Sequence, residues 1–143
     1  MTLGLLLGMI ALLPQPVADQ TCLAATVYME ARSQPTRGQM AVAEVALDRL
    51  DMGRYGNTIC EVVTAPRQFA LTTTPKNFKF DNTDAWNKAW QVAGQAIAVW
   101  QEPVSDRKLV VPHANHFIRL GSTANWAKNP IATIGDHEFY VVD

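Results

Sequence analysis

Apolar positions recur along this chain with three different rhythms. From Leu3 to Leu13, apolar residues and glycine run unbroken for eleven positions and stop at Pro14 and Pro16. From there to about residue 100 the spacing is helical. Leu23, Val27 and Ala31 recur at i, i+4, i+8 behind Thr21 as a cap, which predicts a helix from 21 to about 32. Ser33-Gln34-Pro35 breaks it, and Met40, Ala43, Leu47 and Leu50 form the stripe of a second helix from Thr36 to about Leu50. Thr58 and Glu61 have capping-box spacing and open a short helix through Val63. Residues 64–80 read as irregular, with Pro66, a threonine run and Pro75. Trp86, Trp90, Ala93, Ile97 and Trp100 mark the longest helix, Asp84 to about Trp100, and these tryptophans read as core. Beyond Pro103 the rhythm changes again. Leu109–Val111, Asn115–Ile118 and His137–Val142 read as short strands separated by Gly121 and Gly135. The expectation is α+β: a helix-dominated domain followed by a small C-terminal antiparallel sheet.

Length allows one core. The 143 residues, 48% apolar and 17% charged, describe a single globular domain. Twelve basic residues against thirteen acidic ones, with no basic run longer than Arg107-Lys108, exclude an electrostatic nucleic-acid binder. The opening stretch is short for a bilayer span, which needs roughly 20 apolar residues. It has the length of a signal-peptide core, with a cleavage neighbourhood after Ala18, although no Lys or Arg precedes it. Residues 1–18 are therefore read as an export segment, and 19–143 as the mature domain. The alternatives are a segment that contacts the membrane transiently through residues 3–13 and is later released, or a buried N-terminal helix. Cys22 and Cys60 fit an exported chain: an even count suggests one disulfide worth about 3–4 kcal/mol, against two buried thiols.

Glu30 is the first residue with chemical interest. It is the only carboxylate between Asp19 and Glu44 and closes an otherwise apolar helix. A carboxylate on the margin of a buried face holds its proton to higher pH, which is what cleavage of a glycosidic bond asks of a general acid. Spacing alone favours the plainer reading, a surface glutamate paired with Arg32 or Arg37. Three histidines, His113, His116 and His137, invite a zinc reading. Two of them lie three apart in an apparent strand and should face opposite sides, so no metal or other cofactor is expected. Trp126, in a polar loop, has the surroundings of a sugar-stacking residue. Tyr28 suits either a cleft wall or the core.

Ordered sequence blocks narrow these alternatives. Cys-Leu-Ala-Ala-Thr-Val-Tyr-Met-Glu-Ala-Arg-Ser-Gln-Pro (22–35) precedes Gly-Gln-Met-Ala-Val-Ala-Glu-Val-Ala-Leu-Asp-Arg (38–49). Asn-Thr-Ile-Cys-Glu-Val-Val (57–63), Arg-Gln-Phe (67–69), His-Ala-Asn-His-Phe (113–117), Asn-Trp-Ala (125–127) and Ile-Gly-Asp-His-Glu-Phe-Tyr (134–140) follow. Together they resemble the SleB/CwlJ family of cell-wall hydrolases over about residues 22–140. The resemblance implies a lysozyme-like, peptidoglycan-cleaving domain with Glu30 as the catalytic acid. It also implies a glycan cleft lined by Gln68, Phe69 and the block around His116, to which Trp126 and Tyr28 are added as candidates. Ser33 and Gln34 stand where the family often has Gly-Glu, and Asp48 where it has Asn.

The carboxylate count bears on the reaction. Hydrolysis by the common routes uses two carboxyls, about 5–5.5 Å apart for retention or ~6.5–9.5 Å for inversion. Glu44, Asp48 and Glu61 lie on other helices with capping or surface explanations. One acid suffices if the sugar's own 6-hydroxyl attacks, so a lytic transglycosylase is expected ahead of a muramidase, and either ahead of an inert peptidoglycan-binding module. The partner is the glycan strand, the protein a monomer, and its place the periplasm or the outer cell wall. A small single domain of this kind suits a phage lysis enzyme or a wall-remodelling enzyme.

Overall fold

A computed structural model describes residues 1–143 as six α-helices, one short 3-10 turn (Val104–Asp106) and one three-stranded sheet. The helices are α1 (Leu3–Ile10), α2 (Gln15–Ala31), α3 (Thr36–Met52), α4 (Ile59–Thr64), α5 (Ala70–Thr73) and α6 (Thr83–Gln101). The strands are β1 (His116–Arg119), β2 (Ala132–Ile134) and β3 (His137–Tyr140). No helix is long and apolar enough to cross a membrane.

α2 is the axis of the molecule. Every residue from Thr21 to Tyr28 is buried, and the helix packs on α6, α4 and α3. A helix apolar on all sides belongs inside a core. Its many alanines let those three neighbours approach closely, and the hydroxyls of Thr21 and Thr26 donate to the carbonyls of Val17 and Cys22 at 2.7 and 2.9 Å. Thr21 is therefore not a cap. The helix starts at Gln15, because Pro16 fits a first turn, where amides lack helical partners anyway. α3 is buried likewise from Ala41 to Leu47 and stops at Gly53, whose φ of 69° gives a left-handed end. Thr58 caps α4 as expected, accepting from the Glu61 amide at 3.1 Å, while Asp19 accepts from the Cys60 amide at 3.0 Å. Cys22 and Cys60 form a disulfide that fastens α4 to α2. The stretch 64–80 is not wholly irregular, since α5 forms one turn within it.

The opening apolar stretch packs against the body. Leu3 and Leu6 join the core, and the amides of Leu3 and Gly4 donate to the carbonyls of Phe78 and Lys76 at 2.8 and 2.9 Å. Ala18 is buried inside α2.

The sheet has the order β1-β3-β2, all antiparallel, with His116 opposite Tyr140 and Arg119 opposite His137. Leu109–Val111 is not a strand. The buried Glu44 carboxylate takes the amides of Val110 and Val111 at 2.9–3.0 Å, leaving neither for a partner strand. β2, three residues between Pro130 and Gly135, is too short to show alternation and escaped the pattern. Gly135 turns β2 into β3 with φ 57°, and a Cβ there would collide with the Gln34 side chain.

Candidate active site

Glu30 sits in the last turn of α2, half-buried where the helix emerges beside the sheet. Burial pushes its carboxyl above the usual carboxylate range. The Ala70 amide and the charges of Arg49 and Arg119 pull in the opposite direction without cancelling it. The negative end of the α2 dipole also disfavours the ionised form. The charges that act on it are two guanidinium groups and no carboxylate.

Arg49 organises this region. Its guanidinium, buried in α3, donates through Nε to the Asn115 carbonyl at 2.9 Å and through Nη1 to the carbonyl and Oε1 of Gln68 at 3.4 and 3.3 Å. It lies 4.7 Å over the Phe69 ring and 5.6 Å over that of Tyr55. One side chain thereby ties the loop before α5 to the start of β1 and sets its charge beside Glu30. The sequence reading passed over it. The available signal was an arginine next to the apolar stripe of α3, where a cation needs several acceptors to be buried.

The expected lining residues separate into two groups. Gln68 is half-buried on Arg49, and Phe69 is 3% exposed beneath it, a floor rather than a wall. Phe69 meets Phe117 at 6.4 Å, and Phe117 meets His137 and Phe139 at 5.2 and 5.9 Å, joining the inner face of the sheet to the helices. The alternate face carries His116, Trp126 and Tyr140. The rings of His116 and Trp126 are 4.6 Å apart, and those of Trp126 and Tyr140 are 5.5 Å apart. The charge of Arg49 acts on His116 as well as on Glu30.

Tyr28 belongs elsewhere. It is 1% exposed, its ring packs 5.0 Å from Phe80 and 6.2 Å from Trp86, and its hydroxyl accepts from the Asn82 amide at 3.2 Å. Two residues before Glu30 on a helix is about 200° around the axis, so it faces the core and is not a cleft residue. His113 also differs from expectation: it is exposed in a turn with φ 67°, not on the strand that carries His116. Trp100 is core, and Trp86 and Trp90 are half-buried against it, much as their spacing indicated.

Asp48, Glu61 and Glu44 are not among the groups that act on Glu30. Asp48 points to a cavity of about 310 Å³ lined with Asp51, Met52, His113 and Asn115. Burial there, with the charges of Asp51 and Glu44, pushes its carboxyl up to about 7. Glu61 Oε2 accepts the Asn57 amide just ahead of α4 at 3.4 Å, and Glu44 is held by the Val110 and Val111 amides. Gln34 fills a structural role: its Nε2 donates to Asp136 Oδ2 at 3.0 Å and its Oε1 accepts the Asp136 amide at 2.8 Å. That exchange joins the α2–α3 corner to the β2–β3 turn.

The chain is similar to known proteins over most of its length. The profile of the cell wall hydrolases matches residues 33–140, which include Gln68, Phe69, His116 and Trp126 and begin just after Glu30. The spore cortex-lytic enzyme of Oceanobacillus iheyensis is 43% identical over 126 residues, covering 85% of this chain and 41% of that protein. That of Bacillus cereus is 27% identical over 128 residues, covering 85% and 43%. The chain thus spans under half the length of these relatives. The catalytic domain of the germination-specific lytic transglycosylase SleB from Bacillus anthracis superposes with a TM-score of 0.63 at 27% identity, covering 85% of this chain and 92% of that one. The SleB catalytic domain of Bacillus cereus gives 0.64 at the same identity, covering 85% and 88%. By sequence and by fold, the chain belongs to the cell wall hydrolase family.

Proposed function

We propose that this domain cleaves the glycan backbone of peptidoglycan as a lytic transglycosylase, with Glu30 as its acid and base. The observation that carries the reading is the solitary, desolvated Glu30 carboxyl with two guanidinium groups and no second carboxylate acting on it. In the first half of the reaction the protonated Glu30 gives its proton to the glycosidic oxygen, and the bond to the leaving sugar breaks with oxocarbenium character at the anomeric carbon. The Glu30 carboxylate left behind then takes the proton of the 6-hydroxyl of the same muramyl sugar. That oxygen closes on the anomeric carbon, giving a 1,6-anhydro end and returning Glu30 to its acid form. No water is consumed. Arg49 and Arg119 stabilise the carboxylate between the two halves, while burial restores its affinity for the second proton.

Muramidase-type hydrolysis needs a base for water, and the placement of Asp48, Glu61 and Gln34 supports the transglycosylase ahead of it. The anionic glycan wall is the substrate and the cell envelope the site of action. The apolar segment 1–18 serves as the export signal, and the packing of Leu3 and Leu6 supports its retention in the folded enzyme. Intact-mass measurement of exported protein tests that: a chain beginning at the N-terminus supports retention, and one beginning at Asp19 refutes it. Clearing of purified sacculi tests the activity. Wild-type protein should lower turbidity, and Glu30→Gln should slow it by at least the ~10²–10⁴-fold of general acid–base catalysis without unfolding. A wild-type protein that binds sacculi without clearing them is a binding module, and the proposal fails.

A further inference from the structure

The polarity of the His116 contact follows from hydrogen bonds remote from any substrate. Asn115 pairs with the backbone of Val142: its Oδ1 accepts the Val142 amide at 2.8 Å, and its Nδ2 donates to the Val142 carbonyl at 2.7 Å. Rotating the amide by half a turn would set donor against donor and acceptor against acceptor, so its orientation is fixed. The same Oδ1 lies 2.9 Å from Nδ1 of His116. An oxygen accepts and cannot donate, so Nδ1 carries the hydrogen. A neutral imidazole has only one, and Nε2 is left as a bare lone pair.

The ring stays neutral. Burial and the charges of Arg49 and Arg54 hold the His116 pKa down to about 4. Trp126 packs against the ring at 4.6 Å between centroids, the two planes tilted by 56°. Nε2 has no partner in the fold, and it is not among the polar atoms sealed from solvent.

From this network we infer that His116 is a hydrogen-bond acceptor of the cleft, and that its Nε2 takes a neutral N–H or O–H donor of the amino-sugar chain. Asn115 acts through it as a positioning residue, fixing the tautomer. The inference rests on the proposed glycan-cleaving reading for the identity of the ligand, while the tautomer rests on the fold alone.

Two experiments separate those parts. Nitrogen-15 NMR of the imidazoles in the free protein should show His116 with a protonated Nδ1 and a bare Nε2 near neutral pH. A protonated Nε2, or an imidazolium, overturns the inference whatever the protein does to cell walls. Chitohexaose and cellohexaose are then titrated in turn. Movement of the Nε2 resonance with chitohexaose alone assigns the amide N–H as donor, and movement with both assigns a hydroxyl. Movement with neither overturns the contact. In wall clearing, His116→Gln places a carbonyl near the Nε2 position and His116→Asn does not, so the glutamine variant should retain about tenfold more kcat/KM, the effect lying in KM. Equal activities of the two variants also overturn it. Sacculi left intact by the wild type would refute the glycan reading instead, with the tautomer result untouched.

Discussion

Replacing Arg49 perturbs stability and chemistry in ways that can be told apart. Arg49→Met removes the 2.9 Å bond to the Asn115 carbonyl, the shared Nη1 contacts to Gln68 and the stacking 4.7 Å over Phe69. Hydrogen bonds to a charged donor contribute ~1.5–3 kcal/mol, and a cation on an aromatic face ~0.5–2 kcal/mol. Burying Met instead of a cation recovers part of that sum, which leaves a net loss of about 2–3 kcal/mol. For a chain of this size each kcal/mol lowers Tm by roughly 3–4 °C, so melting should fall by about 6–12 °C. The charge effect has a definite sign. Arg49 lowers the Glu30 pKa, so its removal raises that pKa further. Glu30 donates only while protonated, and activity is lost as pH rises through its pKa. The alkaline limb of the pH–rate profile should therefore move to higher pH in Arg49→Met. Arg49→Lys keeps the charge and loses the fork, so it should melt lower with the limb nearly in place. A limb that stays or moves down in the Met variant, measured by sacculus clearing at matched folded fractions, would refute the role given to Arg49.

Three further outcomes follow from individual contacts. Gln34→Glu sets a carboxylate against Asp136 Oδ2, 3.0 Å from the present amide nitrogen, and should cost about 2–3 kcal/mol at neutral pH. Because the pair's folded pKa is raised, that loss should fade as pH falls toward about 4; urea melts showing no such recovery would contradict it. Asp48, raised to about 7 with Oδ2 lacking a partner, costs stability as pH climbs from its ordinary value through 7. Asp48→Asn should therefore melt higher than wild type near pH 8 and alike near pH 4, and a variant no more stable near pH 8 would count against this. Reducing Cys22–Cys60, separated by 38 residues, should remove about 4 kcal/mol by loop entropy, read as a lower denaturant midpoint; an unchanged midpoint would show that the link adds nothing.

The helical body was legible because its periodicity is carried by large side chains at i, i+3 and i+4, as in α6, and by the Thr58–Glu61 cap. The start of α2 was misplaced because Pro14 and Pro16 read as breakers, while a first helical turn accepts proline. Leu109–Val111 has strand composition, yet a carboxylate 66 residues earlier in the chain claims its amides, a contact no local pattern encodes. Within the site, Glu30 was noticeable as a lone carboxylate on an apolar helix, but only the ordered family-like blocks favoured it over a surface glutamate. Arg49 could not be picked out, since its acceptors are backbone carbonyls supplied by distant segments. Tyr28 was ambiguous because the direction of a side chain on a fully buried helix depends on which neighbour lies on each side.

The central claim is that one carboxyl, Glu30, performs both halves of the reaction and that no water enters. Mass analysis of muropeptides released from purified sacculi tests it most directly. Glycan ends one water lighter than hydrolysed ends are expected, in 1,6-anhydro form and unreactive toward reducing-end reagents, with their release slowed at least ~10²-fold in Glu30→Gln. Hydrated, reducing ends as the dominant product would contradict it and require a second group that activates water.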